Sequence, residues 1–352
     1  MPRSKTTAWA VAVGAVLAIA AGVAVVVVRL GGDSLAPGFV ADGTSGTEAT
    51  HEAEVRLPIG VVRLASGAPR DEIAARRVGR GGDGTVEAAD DAAIVGVSWS
   101  FQPSLGYDDL LTHPAAFSLA VTAGGESTDL GEQDVDLHDA VESGLLPEQS
   151  LIAVVAGDGD DLGFAVTYEG RTQHVDMASG EVDAGAAAAL YPDGPQTYGT
   201  REDCDPRSAA DPEQVRYVSR ADGFLHCRVE QLVRTPYLPD LGWAEAGRVW
   251  QVVELTVTTP RRVRWLLTGA RYRVDRGPVT VTLGSGEAVR APRSPGDGRA
   301  TVRGSWVFDG PADESAPELH VSAPMTARRP PGETRGPARI ALGVDQTFTL
   351  RR

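Results

Sequence analysis

The sequence predicts an all-β fold, two antiparallel β-sandwiches in tandem behind a single N-terminal transmembrane helix. Three observations support this prediction. Apolar and polar residues alternate in short runs along most of the chain, which is typical of half-buried strands. Gly, Pro and Asp-Gly pairs interrupt these runs about every 8–12 residues, a spacing typical of sandwiches. A single long apolar segment precedes all of them.

The apolar segment runs from Ala8 to Val28, 21 residues without a charged side chain. At about 1.5 Å per residue it spans the hydrocarbon core of a bilayer. Arg3 and Lys5 precede it, and basic flanks stay in the cytoplasm. We therefore expect a single-pass protein of the cell membrane with a cytoplasmic N-terminus, an extracellular bulk and bilayer contact through this helix. A cleaved signal peptide is the alternative, but its apolar region is usually shorter, about 7–15 residues.

The rest of the chain is long enough for two domains. Residues 1–30 are the predicted cytoplasmic tip and anchor, and the Gly/Ser/Thr-rich residues 31–50 are a predicted flexible stalk. Residues 51–195 and 196–352 are the two predicted sandwiches, which share one order: strand to proline, strand to Gly-rich turn, then strand, Asp-Gly, strand. One short helix is predicted over residues 134–146. No Gly-rich phosphate loop follows a strand, which argues against a nucleotide-binding fold.

The alternation also predicts which side chains face inward. The apolar positions of the five clearest strands are Phe117, Leu119, Val121, Phe164, Val166, Tyr168, Val253, Leu255, Val257, Val279, Val281, Leu283, Ile340, Leu342 and Val344. Two aromatic pairs, Trp99 with Phe101 and Trp306 with Phe308, are expected in the core. An exposed aromatic strip for stacking on glycans is the alternative for these pairs.

The run LGWAEAGRVWQVVELTVTTP, residues 241–260, places a glycine before a long alternating strand that ends in Thr-Thr-Pro. It resembles immunoglobulin-like domains of unknown function, found behind lipoprotein or membrane anchors in Gram-positive, high-GC actinobacterial bacteria and related to a secreted mycobacterial immunogenic sandwich. The resemblance covers residues 213–350 well and 51–195 poorly, and Pro260 stands where such domains often have Asn. It implies two tandem immunoglobulin-like sandwiches and brings no catalytic residues.

The chain has two cysteines, Cys204 and Cys227. Outside the cytoplasm a lone pair of cysteines is typically oxidised, so we predict a disulfide between them. A metal site that adds His226 is the alternative. His226 and Cys227 are adjacent, however, and on a strand they point to opposite faces.

Residues 156–169, AGDGDDLGFAVTYE, place Asp158, Asp160, Gly163 and Glu169 at positions 1, 3, 6 and 12 of a calcium loop. Position 5 is Leu162, and strand-like runs replace the flanking helices. The sequence therefore favours a hairpin with an Asp-Gly turn. Weak calcium binding by Asp158, Asp160 and Asp161 remains the minor hypothesis, and no other metal or cofactor is expected.

Charge is uneven along the chain. Residues 259–352 carry 16 Arg and 9 acids, a net of +7, whereas residues 1–258 have a net of −22. An acidic protein outside the membrane is a poor candidate for binding nucleic acid. The basic segment indicates a face for an anionic partner, an attraction between the two domains, or arginines that simply keep the strands soluble. Sequence alone favours the last two over the first.

No G-x-S-x-G or H-E-x-x-H motif occurs, and His174 and His320 are expected on exposed strand faces. The function predicted from the sequence is therefore a non-catalytic binding or scaffolding role in the cell envelope, with another membrane or envelope protein as partner. The alternatives are an extracellular protein that binds a small solute or glycan and, more weakly, a hydrolase with a dispersed Ser-His-Asp triad.

Overall fold

The computed structural model of the chain describes residues 34–43, 49–104, 113–135, 148–191, 196–203, 218–219, 226–265, 269–292, 301–313 and 317–349. Their regular structure is almost entirely strand, so the all-β class predicted from the sequence is confirmed. The predicted membrane segment from Ala8 to Val28 lies outside these residues. Among the described residues, no helix is both long enough and apolar enough to cross a bilayer. Residues Ser34–Arg352 form one compact unit.

The first thirteen strands build two packed antiparallel sheets and one small sheet. Their bounds are β1 Ser34–Leu35, β2 Val40–Asp42, β3 Ala49–Leu57, β4 Gly60–Gly67, β5 Glu72–Ala74, β6 Thr85–Ala88, β7 Ala92–Pro103, β8 Ala116–Ala123, β9 Glu126–Asp134, β10 Gln149–Ala156, β11 Gly163–Tyr168, β12 Arg171–Asp176 and β13 Val182–Asp183. Short 3₁₀ helices cover Ala75–Val78 and Gly185–Leu190.

The first sheet pair consists of one sheet in the order β2-β10-β7-β4-β3 and a second in the order β13-β12-β11-β8-β9. Its core lies between them, because alternate residues of every strand point to the same side. Phe117, Leu119 and Val121 from β8 meet Phe164 and Val166 from β11 in this core. The inward faces predicted for these two strands are therefore confirmed.

A third, small sheet in the order β1-β6-β5 covers part of the outer side of the first sheet. Leu35 and Ile73 from the small sheet pack with Ile152 and Val154 from β10. Strand β1 pairs with β6 in parallel, and Leu35 is only 1% exposed. Residues 34–42 thus differ from the stalk predicted for residues 31–50, because Leu35 fills an apolar cluster that the local composition does not reveal.

The remaining strands build the second sheet pair and a small hairpin. Their bounds are β14 Gln196–Asp203, β15 Val218–Ser219, β16 His226–Thr235, β17 Tyr237–Leu238, β18 Gly242–Trp243, β19 Arg248–Thr258, β20 Arg262–Trp265, β21 Arg271–Arg276, β22 Thr280–Leu283, β23 Gly286–Glu287, β24 Thr301–Pro311, β25 Glu318–Arg328 and β26 Arg339–Thr349. One sheet has the order β14-β16-β19-β24. The other has the order β15-β20-β21-β25-β22-β23, with β26 on the free side of β25.

The second core lies between these two sheets. Val253, Leu255 and Val257 from β19 face Val281 and Leu283 from β22, as their alternation predicts. A smaller cluster at one end contains Val263, Trp265, Tyr272, Val274, Met325, Ala327 and Ile340. Of the fifteen inward positions predicted, only Val279 and Leu342 are half-buried rather than buried.

The two sheet pairs have part of their strand order in common. The order β3-β4-β7-β10 in the first pair corresponds to β14-β16-β19-β24 in the second, and β8-β11-β12 corresponds to β21-β25-β26. In the first pair the Asp158-Gly159 segment connects strands of different sheets, β10 to β11, whereas Asp309-Gly310 lies within strand β24. The hairpin predicted at Asp158 is therefore wrong, because an alternating pattern does not tell whether two successive strands pair or cross between sheets.

The predicted helix over residues 134–146 falls mostly outside the described residues. Only its first two positions are described. Asp134 ends strand β9 and Val135 is buried in the first core.

Candidate functional site

The three aspartates proposed as a weak calcium site lie in the connection from β10 to β11. Both carboxylate oxygens of Asp161 accept the backbone N–H of Gly124, at 2.9 and 3.0 Å. The Oδ1 atom of Asp158 accepts the backbone N–H of Asp160 at 3.1 Å. The described residues contain no group of three or more His, Cys, Asp or Glu side chains arranged to hold a metal ion. Asp158 therefore acts as a local turn acceptor, a common use of Asp, whereas Asp161 ties this connection to the turn between β8 and β9.

The predicted disulfide has one described member. Cys227 is buried in the second core beside Val229, and the described residues contain no free cysteine. Cys204 lies outside the described residues, but Asp203 pairs with Arg228 in the β14–β16 register. The chain neighbours of the two cysteines therefore lie opposite each other, and the bond between Cys204 and Cys227 stays a prediction.

The aromatic pairs lie in the cores, as predicted. Trp99 and Phe101 are buried in the first core, and Trp306 and Phe308 are buried in the second. Their rings are therefore not presented to solvent as a stacking strip for glycans. They fill the space between the sheets.

The histidines follow the expectation of exposed strand positions. His174 is exposed on β12. His320, on β25, lies 3.3 Å from Thr347 Oγ1 through Nδ1 and 3.2 Å from Asp345 Oδ1 through Nε2. This set combines a hydroxyl, an imidazole and a carboxylate, but the His320 side chain is 42% exposed on an open strand face.

A shallow groove of about 640 Å³ lies on the outer side of β3, β4 and β7. The side chains that line it are mostly small or acidic, with Glu52, Glu54 and Glu148 around Ser98 and Ser100. Arg63 supplies one positive charge and forms an ion pair with Glu54 at 3.2 Å. Trp99 borders the groove with only 4% of its surface exposed, so the groove offers no open ring to a sugar.

The most unusual surface of the described chain lies on the outer side of the second sheet pair. Arg262 on β20 pairs with Arg273 on β21, Arg273 pairs with Arg328 on β25, and Arg328 pairs with Arg339 on β26. These four arginines form one row directly across four adjacent strands. With strands about 4.8 Å apart, the row is about 14 Å long.

Two further arginines extend this row along the strands. Arg264 and Arg271 form the next outward pair between β20 and β21, about 7 Å from the first row. We call the six residues Arg262, Arg264, Arg271, Arg273, Arg328 and Arg339 the arginine face. Their outward orientation follows from their chain neighbours, such as Val263 and Tyr272, which are buried on the opposite side.

The described strands place little negative charge beside the four arginines of the first row. Asp275, which forms an ion pair with Arg328, is the one acid among the outward positions of the described strands at this end of the sheet. Within the described part of the chain, Arg262, Arg273 and Arg339 have no carboxylate partner. The six arginines and Asp275 together carry a net charge of +5. The Arg328 side chain is 59% exposed despite its ion pair, which leaves the row open to a ligand.

The sequence contained a partial signal for this face. It showed that residues 259–352 are basic and that Arg alternates with apolar residues in RRVRW and RYRVDR. It did not show that the arginines of four strands align, because alignment depends on strand register. An attraction between domains, one of the two interpretations that the sequence alone favoured, does not account for a row that stays exposed to solvent. The other, that the arginines keep the strands soluble, is compatible with that exposure.

A second feature that the sequence did not reveal is the docking of the β17–β18 hairpin on the first sheet pair. Tyr237 is buried in the first core, and Trp243 packs against that core. The Tyr237 ring centre lies 5.4 Å from that of Tyr168 and 5.3 Å from that of Trp243. Burial, the nearby charge of Glu169 and a hydrogen bond to Glu169 together raise the pKa of Tyr237 to about 12.

The arginine face is thus an extended charged surface of the described chain, and the β17–β18 hairpin makes an aromatic contact between its two sheet pairs. Comparisons with models of known protein families, with curated proteins and with solved structures find no match to this chain.

Proposed function

We propose that the protein is a non-catalytic binding or scaffolding protein of the cell envelope. In this proposal the segment from Ala8 to Val28 anchors the chain in the cell membrane, and residues 51–195 and 196–352 are two immunoglobulin-like sandwiches outside the cytoplasm. The arginine face binds an anionic surface of a neighbouring membrane or envelope protein.

The observation that carries the proposal is the row of four arginines in register. Like charges directly opposite each other on neighbouring strands destabilise a sheet. A row with a single ion pair therefore lowers the stability of the isolated chain. An anionic partner reverses this cost, because it supplies the carboxylates that the described strands do not.

The chemistry of the face also favours a protein partner. A guanidinium group binds a carboxylate through two parallel hydrogen bonds, and Arg is enriched in protein interfaces. The face is an open sheet surface rather than a cleft, which suits a broad contact better than a small solute. Its arginines are fixed by strand pairing, so a partner orders only their side chains.

The test is photo-crosslinking in cells that produce the full-length chain. Ala341 is exposed on β26 and faces outward two residues from Arg339, so a photoreactive amino acid at this position reports on what covers the face. We expect a partner protein to be captured from the otherwise unchanged chain and lost from the R262Q/R273Q/R339Q variant.

The matched control removes three exposed arginines from other surfaces, R63Q/R76Q/R303Q. It makes the same change in net charge, and we expect it to retain the captured partner. Capture of nothing but the protein itself, or capture that is indifferent to Arg262, Arg273 and Arg339, would contradict the proposed function.

A further inference from the structure

The outer side of the first sheet pair carries a negatively charged surface, opposite in sign to the arginine face. One row of its second sheet crosses all five strands in register: Asp129, Ala120, Ala165, His174 and Asp183. Acids occupy both ends of the row and alanines its middle. Like the arginine row, it is fixed by strand pairing, because the neighbouring residues of each strand point into the core.

Three more acids share this side of the sheet. Glu132 and Asp134 lie outward on β9, opposite Ser118 and Ala116 of β8, and Asp176 lies outward on β12. We call Asp129, Glu132, Asp134, Asp176 and Asp183 the acidic face. All five are exposed, and no Arg or Lys occupies an outward position on the described strands of this sheet. The acidic face thus carries a charge of −5, against +5 on the arginine face.

We propose that the arginine face of one copy of the chain docks on the acidic face of a second copy. This inference rests on the proposed use of the arginine face for binding, and it names a second copy of this chain as an occupant of that face.

The two faces are complementary in side-chain length as well as in charge. The centre of the acidic face is made of small residues, with Ala120 and Ala165 flanked by Ser118, Thr122 and Thr167. The arginine face presents long side chains. Extended arginines can lie with their stems on the small residues while their guanidinium groups reach the carboxylates at either margin.

The charge of Asp176 and the strand pairing of its neighbours on this face favour the contact. Hydrogen bonds from Ser179, with the backbone N–H as the strongest, lower the pKa of Asp176, so this carboxylate stays ionised in mildly acidic solution. The β8–β9 ladder fixes the backbone of Glu132 and Asp134, so a partner orders only their side chains. Asp176 therefore enters the contact with its charge in place.

The contact is expected to be weak and sensitive to salt. The arginine face measures about 14 by 7 Å between strand positions, well below the roughly 800 Å² that each partner buries in a stable interface. Its attraction is electrostatic and is screened over about 10 Å at 0.1 M salt. Confinement of both copies to one membrane raises their effective concentration, so a weak contact suffices there.

Sedimentation velocity of the purified full-length chain in mild detergent tests the inference through two charge-reversal variants. R262E/R273E/R339E makes the arginine face acidic, and D129R/E132R/D183R makes the acidic face basic. We expect the unchanged chain to associate in about 50 mM salt and to dissociate in about 500 mM salt. Each variant alone is expected to stay monomeric in both, because its two faces then carry the same sign.

An equimolar mixture of the two variants restores opposite charges at both contacts, so we expect it to associate in low salt. This rescue also shows that both variants are folded. R63E/R76E/R303E, with the same change in net charge on other surfaces, is expected to associate like the unchanged chain.

If the reversal variants melt below the unchanged chain, the neutral variant R262Q/R273Q/R339Q replaces them, and it too must lose association. An unchanged chain that is monomeric in low salt, a reversal variant that associates alone, or a mixture that does not associate overturns the inference.

These outcomes are separable from the test of the proposed function. Arginine-dependent capture of another protein in cells, combined with a mixture that stays monomeric, refutes self-docking alone. Charge-swap rescue in solution, combined with no arginine-dependent capture of another protein, refutes the heterologous partner and leaves self-docking in place.

Discussion

Trp243 donates its indole N–H to the backbone carbonyl of Glu169, 3.1 Å away. This bond ties the β17–β18 hairpin to the two-residue turn between β11 and β12. In that turn Glu169 has a φ of 46° and Gly170 a φ of 71°, a pairing that normally favours Asn, Asp or Gly at both positions. The contacts of Glu169 with Trp243 and Tyr237 help to hold a side chain that the turn itself disfavours.

The substitution Trp243→Phe tests this link. It removes the indole donor and leaves the Glu169 carbonyl without that partner, so we expect a loss of about 1 kcal/mol in the free energy of unfolding, measured in urea. Amide hydrogen exchange in residues 168–171 is expected to speed up. Trp250→Phe is the control, because Trp250 donates to the carbonyl of Gly242 at 2.8 Å, within the second half of the chain. Equal exchange at residues 168–171 in both variants would show that the turn is held by something else.

The tyrosine at the same contact predicts an alkaline transition. The pKa of Tyr237 is raised to about 12, above the ordinary value of about 10. The unfolded chain therefore releases this proton first as pH rises, so the stabilisation is fully present below about pH 10 and is lost between there and about pH 12.

We expect the stability of the unchanged chain to fall more steeply between pH 10 and 12 than that of Tyr237→Phe, followed by chemical denaturation. Glu169→Gln is expected to lower the pKa of Tyr237 part of the way, because burial, the largest cause, remains. Parallel curves for the unchanged chain and Tyr237→Phe would contradict the assignment.

The β10–β11 connection predicts that calcium has no effect. Two of its carboxylates, those of Asp158 and Asp161, already accept backbone N–H groups, so millimolar Ca²⁺ is expected to leave the melting temperature unchanged. Asp161→Ala deprives the Gly124 N–H of its acceptor and is expected to cost about 1 kcal/mol, measured by denaturation. Asp160→Ala is the matched control and is expected to be near neutral, because the exposed Asp160 carboxylate makes no hydrogen bond within the described part of the chain. A rise in melting temperature with Ca²⁺ that Asp161→Ala abolishes would restore the metal hypothesis.

The predicted disulfide is tested by counting thiols in exported protein before and after reduction. We expect neither cysteine to react with an alkylating reagent until the protein is reduced. The double variant C204A/C227A is expected to lose about 3 kcal/mol of stability, from the loop-closure model. Two reactive thiols in the unreduced protein would refute both the bond and the oxidising location from which it was inferred.

The strand faces were predictable from the sequence because burial on one side leaves a period of two. Val253, Leu255 and Val257 lie in the second core for that reason. Trp99 and Phe101 likewise lie in the first core. These predictions need only the alternation along one strand.

Features that depend on pairing between distant strands were not predictable. The crossing of β10 to β11 between sheets, the parallel pairing of β1 with β6 and the alignment of Arg262 with Arg339 across four strands all require the register. Tyr237 enters the first core although it lies in the second half of the sequence. The local sequence around Tyr237 has the pattern of an ordinary short strand and does not indicate which of the two cores the side chain enters.

Strand β9 lies at the margin of its sheet, with Asp129, Glu132 and Asp134 on its outer side and a register shift where it passes Leu119 and Ala120 of β8. An exposed margin of this kind is where a sheet can recruit the backbone of another molecule and grow into insoluble aggregates. The acidic side chains and the register shift on β9 hinder the pairing of further strands with this edge. The acids that we assign to docking between two copies therefore also oppose aggregation through the edge strand. Their neutralisation is expected to shorten the time for which the chain stays soluble.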